Sequence, residues 1–323
     1  MMAAAAAILI GFGLLVWGAD RFVIGAAAIA RNLGVSTLII GLTIVGFGTS
    51  APEMLVSAVA AWQGNPGLAI GNALGSNIAN IGLILGVTAL ISPIVVQSNM
   101  LKREFPVLLL TMLAGLGLMA DGDLGRTDGM LLLAGLVLMI FWLVRQGMQT
   151  RSDPLQTEIE AEIPGRMRMS LALMWFAVGL IVLLFSSRLL VWGAVSIAHA
   201  LGVSDVVIGL TIVALGTSLP ELAASVVSVL KGEHDLAIGN IVGSNMFNLL
   251  AVLGMPGVIR PGGFPTEILS RDFPVMIGLT LLLFVMAYGL RGPGHINRYE
   301  GSALLAVYVG YMALLYVESQ LPV

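Results

Sequence analysis

The sequence predicts an all-α polytopic membrane protein, with ten transmembrane helices in two inverted five-helix repeats. Three observations predict it. First, 58% of the 323 residues are hydrophobic and 10% are charged, with a mean hydropathy of +1.00, whereas an ordinary soluble domain carries about 25% charged residues. Second, apolar stretches of about 17–25 residues, enough to cross a bilayer as helices, recur along the whole chain. Third, the second half of the chain repeats the first at a fixed offset of 168 residues.

In chain order the predicted spans lie near 3–30, 36–62, 68–93, 104–120, 129–148, 170–199, 205–230, 236–259, 272–290 and 301–320. The first, second and sixth exceed the usual length and are expected to tilt. No segment alternates with the period of two that a membrane barrel needs. The N-terminal MMAAAAAILIGFGLLVW lacks a basic leader and is expected to be a retained first span. An even number of spans puts both termini on one side. With the termini outside, the cytoplasmic loops hold Arg31, Lys102, Arg103, Arg145, Arg151, Arg166, Arg168, Lys231, Arg291 and Arg298; the outer loops hold only Arg126, Arg260 and Arg271. That excess of basic residues predicts extracytoplasmic termini in a cell (inner) membrane. The expected division is a first repeat over 1–148, a polar cytoplasmic connector over 149–169 and a second repeat over 170–323.

Several function classes are excluded. There are no cysteines and so no disulfides or thiolate metal sites. Net charge is −3, and no basic patch is interleaved with aromatics, so nucleic acid is not an expected partner. No GxxxxGK[ST] loop is present to use ATP. Neither a GxGD aspartyl motif nor a serine–histidine pair suggests an intramembrane protease, and no enzyme activity or cofactor is expected. No obligatory protein partner is evident beside the lipid bilayer.

The repeat is strongest where the chain is most polar. Residues 41–53, GLTIVGFGTSAPE, match 209–221, GLTIVALGTSLPE, at ten of thirteen positions. Residues 68–86, LAIGNALGSNIANIGLILG, match 236–254, LAIGNIVGSNMFNLLAVLG, at eleven of nineteen. The register continues into Arg103-Glu104-Phe105-Pro106 against Arg271-Asp272-Phe273-Pro274. Each half holds five spans. Five is odd, so the second copy lies upside down relative to the first, an arrangement that recurs in secondary transporters with a site at mid-membrane.

Glycines and a proline in GTSAPE and GTSLPE interrupt a helix. Ser50-x-x-Glu53 and Ser218-x-x-Glu221 also fit a capping box, with serine as N-cap and glutamate three residues on. Each span is therefore expected to be two half-helices, with carbonyls freed around Gly46 and Ala214. Such backbone is tolerated in a membrane only where it is buried in protein or lines a wet cavity. Carbonyls, hydroxyls and a carboxylate are hard oxygen donors suited to sodium or calcium. Capping alone accounts for one such glutamate; two placed symmetrically, at a depth where a carboxylate is costly, point to an ion pathway. In the second motif, Ser76 and Asn80 are four apart on one helix face, as are Ser244 and Asn248; these four are ligand candidates. The glycines beside them permit close helix approach. Asn72, Asn77, Asn240 and Asn245 fit interhelical hydrogen bonding as well as they fit ligation. Asp20, Arg21 and Arg188 fall within spans, where they can pair or snorkel.

GTS-x-PE together with GSN-x-x-N, each present in both halves, resembles the calcium/cation antiporter superfamily, and most closely the bacterial sodium/calcium exchangers. The resemblance covers nearly the whole chain. It implies ten helices, extracellular termini and a diamond of cation sites between the second, third, seventh and eighth spans. By motif match it implies Glu53 and Glu221 as the main calcium ligands. Thr49, Ser50, Thr217, Ser218, Ser76 and Ser244 would help bind sodium, with the backbone oxygens of Gly46 and Ala214, and Asn80 would line the centre. It further implies that the first and sixth spans slide as a pair against the other eight. The implied activity is exchange of Ca2+ against Na+ by alternating access. One departure stands out: several members carry aspartate where this chain has Asn248, so its site holds two formal negative charges, from Glu53 and Glu221. That leaves open a proton-driven calcium antiporter as the alternative; a passive cation channel is a rival of a different class.

Overall fold

A computed structural model describes residues 1–34, 48–96, 99–149, 167–288 and 294–319. The protein is overwhelmingly helical. Helix α1 spans Met2–Asn32, α2 Ala51–Trp62, α3 Pro66–Ile91, α4 Asn99–Leu118, α5 Arg126–Gln149 and α6 Met169–Leu201. Helix α7, Asp205–Thr217, and α8, Leu219–Lys231, form a pair bent by 42°. Helix α9 spans His234–Ile259, α10 Ile268–Ala287 and α11 Arg298–Ser319. Among the described residues seven helices are long and apolar enough to cross a membrane, or eight if the bent pair counts as one span. Of the two other predicted spans, that near 36–62 is described only from residue 48, where α2 is apolar but 12 residues long. That near 104–120 lies in α4, whose opening turns carry Lys102, Arg103 and Glu104.

Exposure orders these helices. In α3 and α9, 78% of the apolar window is buried, against 22–39% in the other five long spans. They form the centre, with the rest wrapped round them. Outward faces carry large exposed apolar side chains, such as Leu138 and Phe141 on α5, Ile181 and Phe185 on α6, and Val285 on α10. In water such faces would be a liability; in hydrocarbon they are the expected surface.

Helices α1 and α6 pack along their full lengths in antiparallel fashion. Gly11 lies against Leu190, Gly18 against Val182 and Leu183, and Gly25 against Phe176. The backbones meet where a side chain would block them: a Cβ on Gly25 would stand 2.4 Å from the Phe176 amide nitrogen, and one on Gly179 2.3 Å from that of Phe22. The two phenylalanine rings lie beside each other with centroids 5.0 Å apart. Arg21 pairs with Asp20 at 3.4 Å, and its guanidinium lies 4.9 Å from the ring centroid of Trp175. The charges within the first span thus pair with each other and with an aromatic face.

Two short antiparallel ladders are added to the helices. Strand β1, Ile94–Val96, follows α3 and pairs with β4, Gly294–Ile296, before α11. Strand β2, Asp123–Leu124, between α4 and α5, pairs with β3, Gly262–Gly263, after α9. Each ladder satisfies loop backbone groups and ties one half of the chain to the other. At the entry to α10, Asp272 accepts from Arg271 Nε at 2.6 Å and from the Tyr311 hydroxyl at 2.7 Å, while Arg271 also pairs with Glu318. This buried network fixes α11 against α10.

The α1–α6 crossing predicts a position-dependent response to a single methyl group. Gly25→Ala is expected to lower the melting temperature in detergent, in line with an overpacking cost of about 1–3 kcal/mol. Gly13, with nothing within 4 Å of a Cβ, is expected to accept alanine with no loss or a small gain, since alanine is the better helix former. Equal effects at both sites would contradict the crossing.

Candidate functional site

The motif residues gather where the bent helices meet the two central ones. Ser50 is the N-cap of α2 and Ser218 that of α8, each followed by proline in the first turn and then by Glu53 or Glu221. The predicted cap positions are right, but the capping boxes are not made. Neither serine side chain bonds its own helix, because both residues keep near-helical backbone angles (φ −85°, ψ 1°; φ −86°, ψ 9°). Ser218 Oγ instead donates to Glu53 Oε1 at 3.2 Å, across the two halves of the chain.

The break also differs from expectation. It falls at Ser218, and the Ala214 carbonyl ahead of it is not freed of hydrogen bonds. It accepts from the Ser218 amide at 3.1 Å and from Thr217 Oγ1 at 3.3 Å. The irregularity before it is a π-helical stretch, Gly209–Val213, a wider turn common at functional positions. Gly46 lies outside the described residues. Two further π stretches, Asn80–Leu85 in α3 and Asn248–Val252 in α9, begin on the two predicted central asparagines. Apolar periodicity carries no trace of these insertions.

Glu53 and Glu221 are both 0% exposed. Around them the halves exchange hydrogen bonds. On α3, Asn72 Nδ2 donates to the Glu53 carbonyl at 3.2 Å and to Ser57 Oγ at 3.0 Å, and its Oδ1 accepts from Thr217 Oγ1 at 3.1 Å. On α9, Asn240 Nδ2 donates to the Glu221 carbonyl and to Ser225 Oγ, each at 3.4 Å, and its Oδ1 accepts from Thr49 Oγ1 at 3.2 Å. Thr49 also lies 3.4 Å from Ser244 Oγ, which donates to Glu221 Oε1 at 3.3 Å. Asn80 Nδ2 donates to Asn245 Oδ1 at 2.9 Å, while Asn77 Nδ2 points to Met276 Sδ at 3.4 Å. For Asn72, Asn240 and Asn245 the interhelical alternative is therefore realised. Gly71 permits it, since a Cβ there would stand 2.3 Å from the Val206 carbonyl on α7.

Among the described residues, seven buried side-chain atoms of the predicted set have no hydrogen-bond partner: Ser50 Oγ, Glu53 Oε2, Ser76 Oγ, Asn80 Oδ1, Glu221 Oε2 and both Oδ1 and Nδ2 of Asn248. Buried polar atoms are normally satisfied, and an unpaired one costs about 1–3 kcal/mol, more if charged. Six of the seven are oxygens, a donor set suited to a hard cation. Among the described residues no three His, Asp or Glu side chains gather, so the acidic content is the two glutamates and every other donor is neutral. Ser57 and Ser225, which accept from Asn72 and Asn240, are neighbours of the two glutamates that motif reading missed. Each lies four residues after its glutamate, on the same helix face, a spacing visible in the sequence.

Comparison with known proteins agrees with this architecture. The family model described as sodium/calcium exchanger protein matches residues 3–145 and 171–317. CaxA of Alkalimonas amylolytica is 53% identical over 98% of this chain and 99% of its own. The inner membrane protein YrbG of Escherichia coli (strain K12) is 40% identical over 98% of each. A solved structure of the sodium-calcium exchanger NCX_Mj, soaked with 100 mM Na+ and 10 mM Sr2+, superposes with a TM-score of 0.67 and 34% identity, covering 100% of this chain and 99% of that one. The chain belongs to the sodium/calcium exchanger family, and is a membrane cation transporter rather than an enzyme.

Proposed function

We propose that the protein exchanges Ca2+ for Na+ across the cell membrane by alternating access at one mid-membrane site. The observation that carries this reading is the pair of fully buried glutamates, one from each half, with an unsatisfied oxygen on each. Glu53 and Glu221 hold calcium. Thr49, Ser50, Ser76, Thr217, Ser218 and Ser244, with Asn80, Asn248 and the carbonyls of Gly46 and Ala214, complete the oxygen shell for calcium and sodium in turn. In this reading ten helices form two inverted repeats, 1–148 and 170–323, joined by a cytoplasmic connector at 149–169, with both termini outside. The reciprocal bonds of Asn72 and Asn240, and the crossed pairing of the short strands, support a two-fold relation between the halves.

The charge balance supplies the exchange rule. Two carboxylates carry two negative charges, which one Ca2+ neutralises. A loaded site is electrically quiet and can change its exposure from one side to the other. A bare site leaves two uncompensated charges in a low-dielectric interior, where their repulsion and desolvation oppose the same step. Exchange is thereby favoured over leak. The glycine-lined α1–α6 pair, which meets the rest of the bundle along one side, is the unit that slides. The driving energy comes from an ion gradient, to which the membrane potential adds about 2.3 kcal/mol per net charge moved per 100 mV.

A proton-coupled reading is favoured by one feature, the neutral Asn248 at the centre. With only two carboxylates, two protons would balance one Ca2+ as well as two sodium ions would.

Uptake of radioactive calcium into proteoliposomes loaded with sodium, with potassium, or with an acidic interior separates these readings. Sodium-driven uptake is expected, and Glu53→Gln or Glu221→Gln is expected to reduce it at least a hundredfold. Near-normal flux in both variants would refute the assigned site; uptake driven by acid alone would favour protons. Asn248→Asp is expected to steepen the dependence on sodium concentration, and an unchanged dependence would show that this position does not set coupling.

A further inference from the structure

Two asparagines in the centre of the molecule do more than join neighbouring helices. An asparagine amide has two N–H donors on nitrogen and one carbonyl acceptor. In Asn72 all of these are used, and they link one glutamate to the opposite half. One hydrogen goes to the Glu53 carbonyl and one to Ser57 Oγ; the oxygen accepts from Thr217. Thr217 is covalently next to Ser218, whose hydroxyl donates to the Glu53 carboxylate. The path closes on itself: Glu53 main chain, Asn72, Thr217, Ser218, Glu53 side chain. On the other side Asn240 donates to the Glu221 main chain and accepts from Thr49, while Ser244 gives its one hydrogen to the Glu221 carboxylate; with both hydroxyl hydrogens so placed, the 3.4 Å approach of Thr49 to Ser244 carries none and this path stays open. Different serines reach the two carboxylates. Ser218 at the helix break reaches Glu53 while Ser76 is left without a partner; Ser244 within α9 reaches Glu221 while Ser50 is left without one.

The Thr217 hydroxyl has a single hydrogen and three acceptors in reach: Asn72 Oδ1 at 3.1 Å, the Val213 carbonyl at 3.0 Å and the Ala214 carbonyl at 3.3 Å. Without the Asn72 oxygen that hydrogen turns wholly to its own helix. Thr217 then loses its hold on α3, and the tie from Glu53 to the α7–α8 pair is reduced to the Ser218 hydroxyl. An apolar residue of the same size would fill the space without making the link. Aspartate would keep the acceptor, lose both donors and place a further anion beside the Glu53 carbonyl.

We propose that Asn72 and Asn240 are positioning residues for the transported cation, each setting its own half's glutamate against the opposite half's threonine. The inference rests on the site reading above, in which Glu53 and Glu221 hold calcium. It makes calcium affinity depend on specific cross-half pairs: Asn72 with Thr217, and Asn240 with Thr49. The two other combinations, Asn72 with Thr49 and Asn240 with Thr217, share no bond.

The test is a set of crossed double-mutant cycles on the full-length protein in proteoliposomes, with calcium uptake resolved into KM and maximal rate. Asn72→Ala and Thr217→Val are each expected to raise the calcium KM about five- to tenfold, the scale of a lost hydrogen bond at a charged site. Together they are expected to be no worse than the worse single change, while Asn72→Ala with Thr49→Val is expected to multiply. A purely structural role would weaken both combinations alike and lower the fraction of folded protein, leaving the KM of the remainder unchanged. Where Asn72→Ala does not survive purification, Asn72→Ser in the same cycle gives the same reading with a smaller shift. Multiplicative behaviour in both cycles, or a calcium KM that does not move, would overturn the assignment. The site reading fails separately, through retained transport in Glu53→Gln and Glu221→Gln.

Discussion

The burial of two glutamates, one from each half of the chain, is the constraint on which the rest of this structure depends. Glu53 and Glu221 are each wholly shielded from solvent. No cationic side chain is bonded to either among the described residues; serine hydroxyls donate to their carboxylates and asparagine amides to their main-chain carbonyls. A membrane protein that keeps such a pair uncompensated sacrifices stability at its centre. The surrounding fold reads as a means of holding that arrangement in place. The most buried helices, α3 and α9, carry amides at the depth of the glutamates, and the bent α7–α8 pair carries a hydroxyl to each side of its own break.

Small residues make the arrangement possible. Where α3 meets α7, Gly71 brings the two backbones so close that the side chains of Asn72 and Thr217 touch across the halves. Where α1 meets α6, Gly25 and Gly179 do the same with a different result. There the contact is mainly glycine and apolar packing, with the Asn32 amide donating to the Met167 carbonyl at one end and an arginine resting on the Trp175 ring. A contact built from van der Waals packing alone can shift by small steps without breaking directional bonds. A contact built from saturated amides cannot. The packing therefore divides into one directionally bonded layer, at the proposed ion site, and one smoother layer, along α1 and α6, and that division fits the proposal of a site that stays fixed while its access changes.

Much of this was legible in the sequence. The 168-residue repeat placed the two glutamates and their serines in matched positions, and proline after serine located the start of α2 and α8. Spacing of four put Ser76 with Asn80 and Ser244 with Asn248, and the structure buries all four. What the sequence hid is of two kinds. One is local geometry without a compositional signal: the π stretches beginning at Asn80 and Asn248, and the bend at Ser218 rather than near Ala214, depend on a single extra residue per turn. The other is pairing between distant segments. Ser218 fits a cap by sequence, but its near-helical backbone angles turn the hydroxyl away from its own helix, and it donates instead to a carboxylate 165 positions away, a pairing that cannot be read from either segment alone. The same applies to Thr217 and Asn72, 145 positions apart.

The central claim concerns one location, and a heavy divalent cation reports it directly. Strontium is chemically close to calcium and scatters anomalously, so crystals of the protein grown in lipid and soaked with Sr2+ would mark any site. The account predicts one dominant anomalous peak within about 2.3–2.8 Å of oxygens from both Glu53 and Glu221, a range that extends calcium–oxygen distances slightly for the larger ion. A peak bound by only one of these residues, or a map with its strongest peak at the surface and none between them, would contradict it.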